Sequence, residues 1–284
     1  MDYKYITLNN GVKIPQIGFG TWRVPDGKTV IDSVGIALQS GYRHIDTASH
    51  YGNETGVGVA IKESGISRDE LFITTKLWTS GRDYDVVLRE FDDSIEKLGL
   101  EYIDLYLIHW PCIVYEDLKE LNFNANIWKA FEKLYNDGKA KSIGISNFLV
   151  KHLQPLLDNA NIIPSVNQLE LHPEHQQREI VEFCKKHNIH CEAWSPLMNG
   201  KDLDNTILLQ VAKKYNKNVG QILLRWSIQK GFIPLSKSTT PDRIKTNLDI
   251  FDFNITDEDM NMIDTLDGTG NGYSRYSPDI IQIK

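Results

Sequence analysis

Apolar residues along the chain recur with two periods. Eight short runs, at 17–20, 44–47, 71–76, 103–109, 142–146, 165–170, 190–195 and 232–235, have the length and composition of buried β-strands. The stretches between them have the helical period: Val30, Val34, Ala37 and Leu38 share one face, as do Val87, Phe91, Ile95 and Leu98. Gly41, Gly65, Gly99 and Gly138 stand where helices end, positions that favour a left-handed residue. Ahead of the first run, residues 4–8 and 12–15 read as a hairpin around Asn9-Asn10-Gly11, with Asn-Gly supplying the positive φ angles of a tight turn.

A regular strand–helix series demands parallel strands with right-handed crossovers, and eight units without a Pro/Gly/Ser-rich linker predict one closed barrel. The expectation is therefore an α/β protein, a (β/α)8 TIM barrel in a single domain over residues 1–284. The N-terminal hairpin and one or two extra helices lie outside the repeat, because 204–215 and 219–230 both precede the last strand and 256–265 follows it. A doubly wound sheet is the competing fold, and its dinucleotide fingerprint would be a glycine-rich first turn. Gly18-Phe19-Gly20-Thr21-Trp22-Arg23 begins that pattern but places Arg23 where the third glycine belongs.

Composition narrows the function classes. With 31 Lys+Arg against 38 Asp+Glu the net charge is −7, which argues against a nucleic-acid partner. At 41% hydrophobic and 24% charged residues, the 284-residue chain has ample material for a core. The least polar run, 105–115, is shorter than the roughly 20 residues of a spanning helix and holds His109 and Pro111, so no membrane partner is expected. The start, Met1-Asp2-Tyr3-Lys4, lacks an apolar signal segment, and Cys112, Cys184 and Cys191 form no CxxC pair. Both point to the cytoplasm. Cys184, His187, His190 and Cys191 have zinc-like residue types but straddle a helix end and a strand start, so no metal is expected.

In a barrel, catalytic groups belong at the C-terminal ends of strands. Four titratable residues fall there: Asp46 after the second strand, Tyr51 in the next loop, Lys76 at the end of the third and His109 at the end of the fourth. Singly, each has an ordinary role as capping carboxylate, loop aromatic, solvated strand end or core histidine. Together they fit one another. An inward lysine needs a counter-charge, which Asp46 supplies, and the cation is expected to lower the Tyr51 phenol from its ordinary pKa of about 10. Tyr51 then serves as a proton donor, with His109 as a second donor to the same substrate oxygen.

Gly41-Tyr42-Arg43-His44-Ile45-Asp46-Thr47-Ala48 with Tyr51-Gly52-Asn53-Glu54 resembles the signature of the aldo-keto reductase family. So do Thr75-Lys76-Leu77-Trp78, Leu105 to Pro111, Gly144 to Phe148, Asn167-Gln168, Ala193 to Leu197, and Lys237-Ser238 with Arg243-Ile244. The resemblance runs through nearly the whole chain and is nearest to the short microbial 2,5-diketo-gluconate reductase and prostaglandin F synthase group. It implies a monomer that uses NADPH without a Rossmann domain to reduce small-molecule carbonyls, with Asp46, Tyr51, Lys76 and His109 as the catalytic tetrad. A protein that binds NADPH as a sensor or scaffold with little turnover is the alternative.

By the same resemblance, Ser146, Asn147 and Gln168 hold the nicotinamide carboxamide and Trp194 stacks on its ring. Thr21, Trp22, Ser195 and Leu197 line the cofactor. Lys237, Ser238, Thr239 and Arg243 hold the adenosine 2′-phosphate, and Asn247 lies near the adenine. Two cations and two hydroxyls that follow the eighth strand, with a Pro241 suited to open a helix, fit that anion independently. Ser236 and Thr246 depart from the family pattern, which has Pro and Glu at these places. Trp22, Trp78 and Trp110 match the substrate pocket, and the short segment after Gly272 implies an open one.

Overall fold

The computed structural model describes residues 5–78, 83–111 and 121–270. Cys112, Lys4 and the segment after Gly272 lie outside them. The eight strands of the repeat are β3 (Gly18–Gly20), β4 (His44–Asp46), β5 (Phe72–Leu77), β6 (Ile103–Ile108), β7 (Ala140–Ser146), β8 (Val166–Glu170), β9 (His190–Trp194) and β10 (Ile233–Ser236). They close into a parallel barrel in which each strand pairs with its successor and β10 returns to β3. That closing seam is short: Leu235 pairs with Gly18 and Ser236 with Phe19. Tyr42 Oη and Ser236 Oγ, 2.8 Å apart, fasten it from the side.

The crossovers are α1 (Lys28–Ser40), α2 (Glu54–Ser64), α3 (Tyr84–Leu98), α4 (Leu121–Asn136), α5 (Val150–Leu157) and α6 (Arg178–Lys186). Then α7 (Thr206–Tyr215) and α8 (Val219–Gln229) both precede β10, and α9 (Pro241–Leu248) and α10 (Asp257–Asp264) follow it. The repeat needs α8, which packs on β10, while α7 packs on α10. Among the described residues two helices are thus additional. The expected helix faces pack inward: Val30, Val34, Ala37 and Leu38 are buried, as are Val87, Phe91 and Leu98, with Ile95 partly covered.

The hairpin, β1 (Tyr5–Thr7) with β2 (Lys13–Pro15), closes the N-terminal end of the barrel. Its turn corrects the sequence expectation. Leu8 N donates to Val12 O, so three residues bridge the strands. Only Gly11 has a positive φ, of 88°, because a three-residue loop needs one left-handed residue where a two-residue turn needs two. Asn9 Nδ2 donates to Pro164 O and Asn10 Nδ2 to Lys141 O, tying the turn to the starts of β8 and β7. Leu8 and Ile14 then cover Phe72, Leu105, Leu107, Val166 and Ile233 inside the barrel floor.

The closed barrel overturns the doubly wound alternative and explains its partial fingerprint. Gly18 lies inside β3, where an added Cβ would meet His44 Nδ1 and Leu235 Cδ2, each at 2.6 Å. The glycine admits neighbouring strands, not a pyrophosphate. Within the barrel the two-residue period stacks the interior in layers. Above the apolar floor sit His44, Thr74 and Glu192, and above these Asp46, Lys76 and Gln168.

Candidate active site

Lys76 is fully buried at the end of β5, and its Nζ donates to Asp46 Oδ1 at 2.7 Å, Thr47 O at 2.9 Å and Tyr51 Oη at 3.3 Å. All three ammonium protons are used. Tyr51 stands in a short helical turn over Ser49–Tyr51, anchored by Ser49 Oγ donating to Lys76 O. Asn53 holds the turn from behind: its Nδ2 donates to Thr21 O and Val24 O, and its Oδ1 accepts from Thr47 Oγ1. His109 follows β6, and its ring meets that of Tyr51 edge to face at 5.5 Å. The four residues therefore converge at the C-terminal mouth, each delivered by a different strand or loop.

Electrostatics departs from the expectation in one respect. The Tyr51 phenol is raised above its ordinary value, because burial outweighs the opposing pull of Lys76. Burial also works against the charge on Lys76, but Asp46 and Tyr51 more than offset it and the ammonium is held above the usual lysine range. His109 is pushed well below the ordinary histidine value by burial and then by Lys76 and His50. At neutral pH the site thus holds a charged lysine, a protonated phenol and a neutral imidazole. His109 Nδ1 is buried without a hydrogen-bond partner, which leaves Nε2 as the ring nitrogen able to reach a ligand.

Beside the tetrad runs a chain of polar side chains. Trp194 Nε1 donates to Asn147 Oδ1 at 2.9 Å, and Asn147 Nδ2 donates to His109 O and Ser146 Oγ, each at 3.0 Å. Ser146 Oγ donates to Gln168 O, and Gln168 Nε2 to Asp46 Oδ2 at 2.9 Å. Asn147 is held at φ 65°, a left-handed conformation that asparagine tolerates better than most residues. Thr21 is buried, with Oγ1 donating to Asp46 O. The loop after β9 carries a run of left-handed residues, Ser195, Met198, Asn199, Gly200 and Asp202. Ser195 and Leu197 lie within it, half-buried.

The cationic group assembles after β10. Lys237 and Thr239 are exposed and Ser238 is buried just ahead of α9, and Arg243 is exposed in the first turn of that helix, which Pro241 opens. Asn247 is buried on the inner side of α9. Ser236, where the family pattern has proline, serves the closing seam. Sequence reasoning missed Arg23, whose guanidinium lies 4.2 Å over the Trp22 ring. Partial burial, and next the Arg23 charge, lower the Lys237 ammonium.

Trp22 and Trp78 are half-buried at the mouth and Trp110 is buried, each just past a strand end. Trp78 reaches His109 at 5.2 Å and stacks on His50 at 3.6 Å with an interplanar angle of 11°. His50 was also missed; adjacency to Tyr51 was its only signal. The four zinc-type residues do not converge as a set: Cys184 and Cys191 are hydrogen-bonded to each other, but His187 Nδ1 donates to Phe183 O and His190 Nε2 to Thr7 O. Among the described residues no group of three or more His, Cys, Asp or Glu is arranged to hold a metal ion. Nor is any described helix long and apolar enough to cross a membrane.

Fold and site together define a closed parallel barrel whose C-terminal mouth gathers a buried Asp46–Lys76 ion pair, a phenol and a buried imidazole. The sequence profile of the Aldo/keto reductase family matches residues 16–267. The chain belongs to that family, and it is an oxidoreductase. It is 49% identical over 262 residues to the glyoxal reductase of Bacillus subtilis, covering 92% of each chain. It is 48% identical over 268 residues to the 9,11-endoperoxide prostaglandin H2 reductase of Trypanosoma cruzi, covering 93% of this chain and 92% of that protein. The crystal structure of a Bombyx mori aldo-keto reductase in complex with NADP superposes with a TM-score of 0.87 at 36% identity, covering 96% of each chain.

Proposed function

We propose that this protein is an NADPH-dependent reductase of small aldehydes, ketones or α-dicarbonyls, yielding alcohols. The observation that carries the reading is the Lys76 ammonium, charged by Asp46 and donating to Tyr51 Oη, while Tyr51 keeps its own proton. NADPH, when bound, supplies the hydride. Tyr51 gives its proton to the substrate oxygen as negative charge develops there, and Lys76 stabilises the phenolate that results. His109 offers a second hydrogen bond to that oxygen. Ser146, Asn147 and Gln168 take the carboxamide, Trp194 the ring face, and Thr21, Trp22, Ser195 and Leu197 the remaining contacts.

The residues present fit the dinucleotide. Arg23 and Lys237 repel one another unless an anion lies between them, and Ser238, Thr239 and Arg243 extend that surface toward α9. Trp22, Trp78 and Trp110 give the substrate an aromatic surround, and Asn247 lies on the adenine side. Glyoxal reduction by the Bacillus subtilis relative agrees with a small dicarbonyl substrate. Lys76 as a Schiff-base nucleophile would need to be neutral, whereas its charge is favoured by two neighbours. A sensor that merely bound NADPH would have no use for a phenol poised against a charged lysine. The reading extends to a one-domain monomer working in the cytoplasm.

The test is NADPH oxidation with a panel of small aldehydes and α-dicarbonyls, comparing wild type with Tyr51→Phe. Turnover by wild type, and a loss of at least about a hundredfold in the variant with NADPH affinity retained, is the expected result. NADPH binding without turnover of any panel member would favour the sensor.

A further inference from the structure

Below the tetrad lies a carboxyl group that the reaction as described does not use. Glu192, in the middle of β9, points into the barrel and is wholly buried. Its Oε2 accepts from Gln168 Nε2 at 2.8 Å, and the same nitrogen donates to Asp46 Oδ2 at 2.9 Å. An amide nitrogen has two protons, so both are committed, one to each carboxyl. The amide plane is fixed by these two bonds, and its oxygen is the only group Gln168 has left to offer.

We propose that Glu192 is a positioning residue for the nicotinamide: with Asp46 it locks the Gln168 amide so that the oxygen is presented to the cofactor's carboxamide N–H. The inference rests on the carboxamide role given to Gln168 above. A flipped Gln168 would turn its N–H groups toward the cofactor and set its oxygen against the Asp46 carboxylate, losing that bond and the present donation to Glu192 Oε2. Without Glu192, one N–H is released and the amide is held by Asp46 alone.

The neighbours of Glu192 suit this task. Gln168 and Asp46 lie above it, His44 Nε2 lies 3.7 Å from Oε1, Thr74 Oγ1 is bonded to that same ring nitrogen, and Lys76 is the nearest cation of the layer above. Burial, and next the Asp46 charge, push Glu192 up to about 8, so at neutral pH it carries a proton. Since Oε2 accepts from Gln168, that proton belongs on Oε1, the oxygen without a hydrogen-bond partner. A neutral acid can accept from Gln168 without placing a second anion against the Asp46–Lys76 pair. Burial, with Lys76 second, drives His44 down to about 3, so no charge arises on that side.

The experiment measures binding of NADP+ and of 2′,5′-ADP, which lacks the nicotinamide, to wild type and to Glu192→Met, Glu192→Leu, Glu192→Gln and Gln168→Leu. Met and Leu remove the acceptor but keep apolar volume, whereas Gln keeps an acceptor oxygen. The expected result is about tenfold weaker NADP+ binding in the Met and Leu variants, the scale of one misdirected hydrogen bond, with 2′,5′-ADP unchanged and Gln restoring NADP+ to within about threefold. Equal weakening of both nucleotides, or NADP+ binding within about twofold of wild type in whichever apolar variant folds, overturns the role of Glu192. Should Gln168→Leu also leave NADP+ binding intact, the carboxamide role of Gln168 falls and the inference with it. A loss in Gln168→Leu beside silent Glu192 variants refutes Glu192 alone.

Discussion

Lys76 and Asp46 form a buried ion pair at 2.7 Å, with side chains 0% and 4% exposed, and a double-mutant cycle on the pair tests the electrostatic account of the site directly. Asp46→Asn keeps the shape but leaves the ammonium without a counter-charge and sets the new amide N–H group against that of Gln168. Lys76→Met keeps the apolar volume but loses the three bonds from Nζ. Removing one partner of a buried pair costs about 3–5 kcal/mol. For 284 residues that is a fall in Tm of about 6–10 °C. The double variant has no unpaired charge, so its loss is smaller than the sum of the single losses by about 1–3 kcal/mol. Chemical denaturation and calorimetry measure all four corners without cofactor. Since the folded pKa of Lys76 is raised, its contribution is complete below the unfolded value, about 10.5, and fades as pH rises through the higher folded value. The wild-type advantage over Lys76→Met is then flat from neutrality to about pH 10 and declines beyond it. Additive single losses, or an Asp46→Asn loss under about 1 kcal/mol, would refute the reasoning.

Three other predictions follow from particular contacts. Glu192 is protonated in the fold up to about pH 8 but ionised in the unfolded chain above its ordinary value, so its burial costs progressively more stability as pH rises between the two. Glu192→Gln removes that penalty, and thermal melts of the variant gain on wild type from pH 5 to pH 8; a pH-independent difference contradicts the assignment. Gly58 in α2 would place a Cβ 2.3 Å from Leu98 O, so Gly58→Ala forces α2 and α3 apart and lowers stability by about 1–3 kcal/mol in denaturant titrations, where a helix-propensity gain alone would raise it. Neutralising Lys237 or Arg243 weakens NADPH by about tenfold or more while NADH, lacking the 2′-phosphate, changes less than about threefold; equal losses in steady-state KM would remove the phosphate assignment.

The strand–helix repeat was readable because barrel strands are short apolar runs separated by stretches of helical period, and every observed strand falls within two residues of its expected bounds. The tetrad was readable because polar residues at strand ends interrupt those runs. Depth within the barrel was not. Residues of β5 from Phe72 to Leu77 are buried on both faces, so the alternation that sets Thr74 and Lys76 inside leaves little trace in hydropathy. Glu192 looks like a lone carboxyl in its strand; only the register placing Gln168 beside it shows what it faces. The phenol was misjudged for a related reason, since proximity to Lys76 shows in the sequence and the burial that opposes it does not. Arg23 escaped notice because its partner, Lys237, lies at the other end of the chain.

Order along the chain bears on how the barrel comes together. Every strand pairing but one joins successive strands, so β3 to β10 can be added unit by unit with modest loops to close. The exception joins residue 18 to residue 235 through two paired positions and the Tyr42–Ser236 contact. That pairing joins the strands farthest apart along the chain, through as few paired positions as β3–β4, β7–β8 and β9–β10 have. If the seam closes last, lesions there show mainly as faster opening of the finished barrel and leave its rate of assembly little changed.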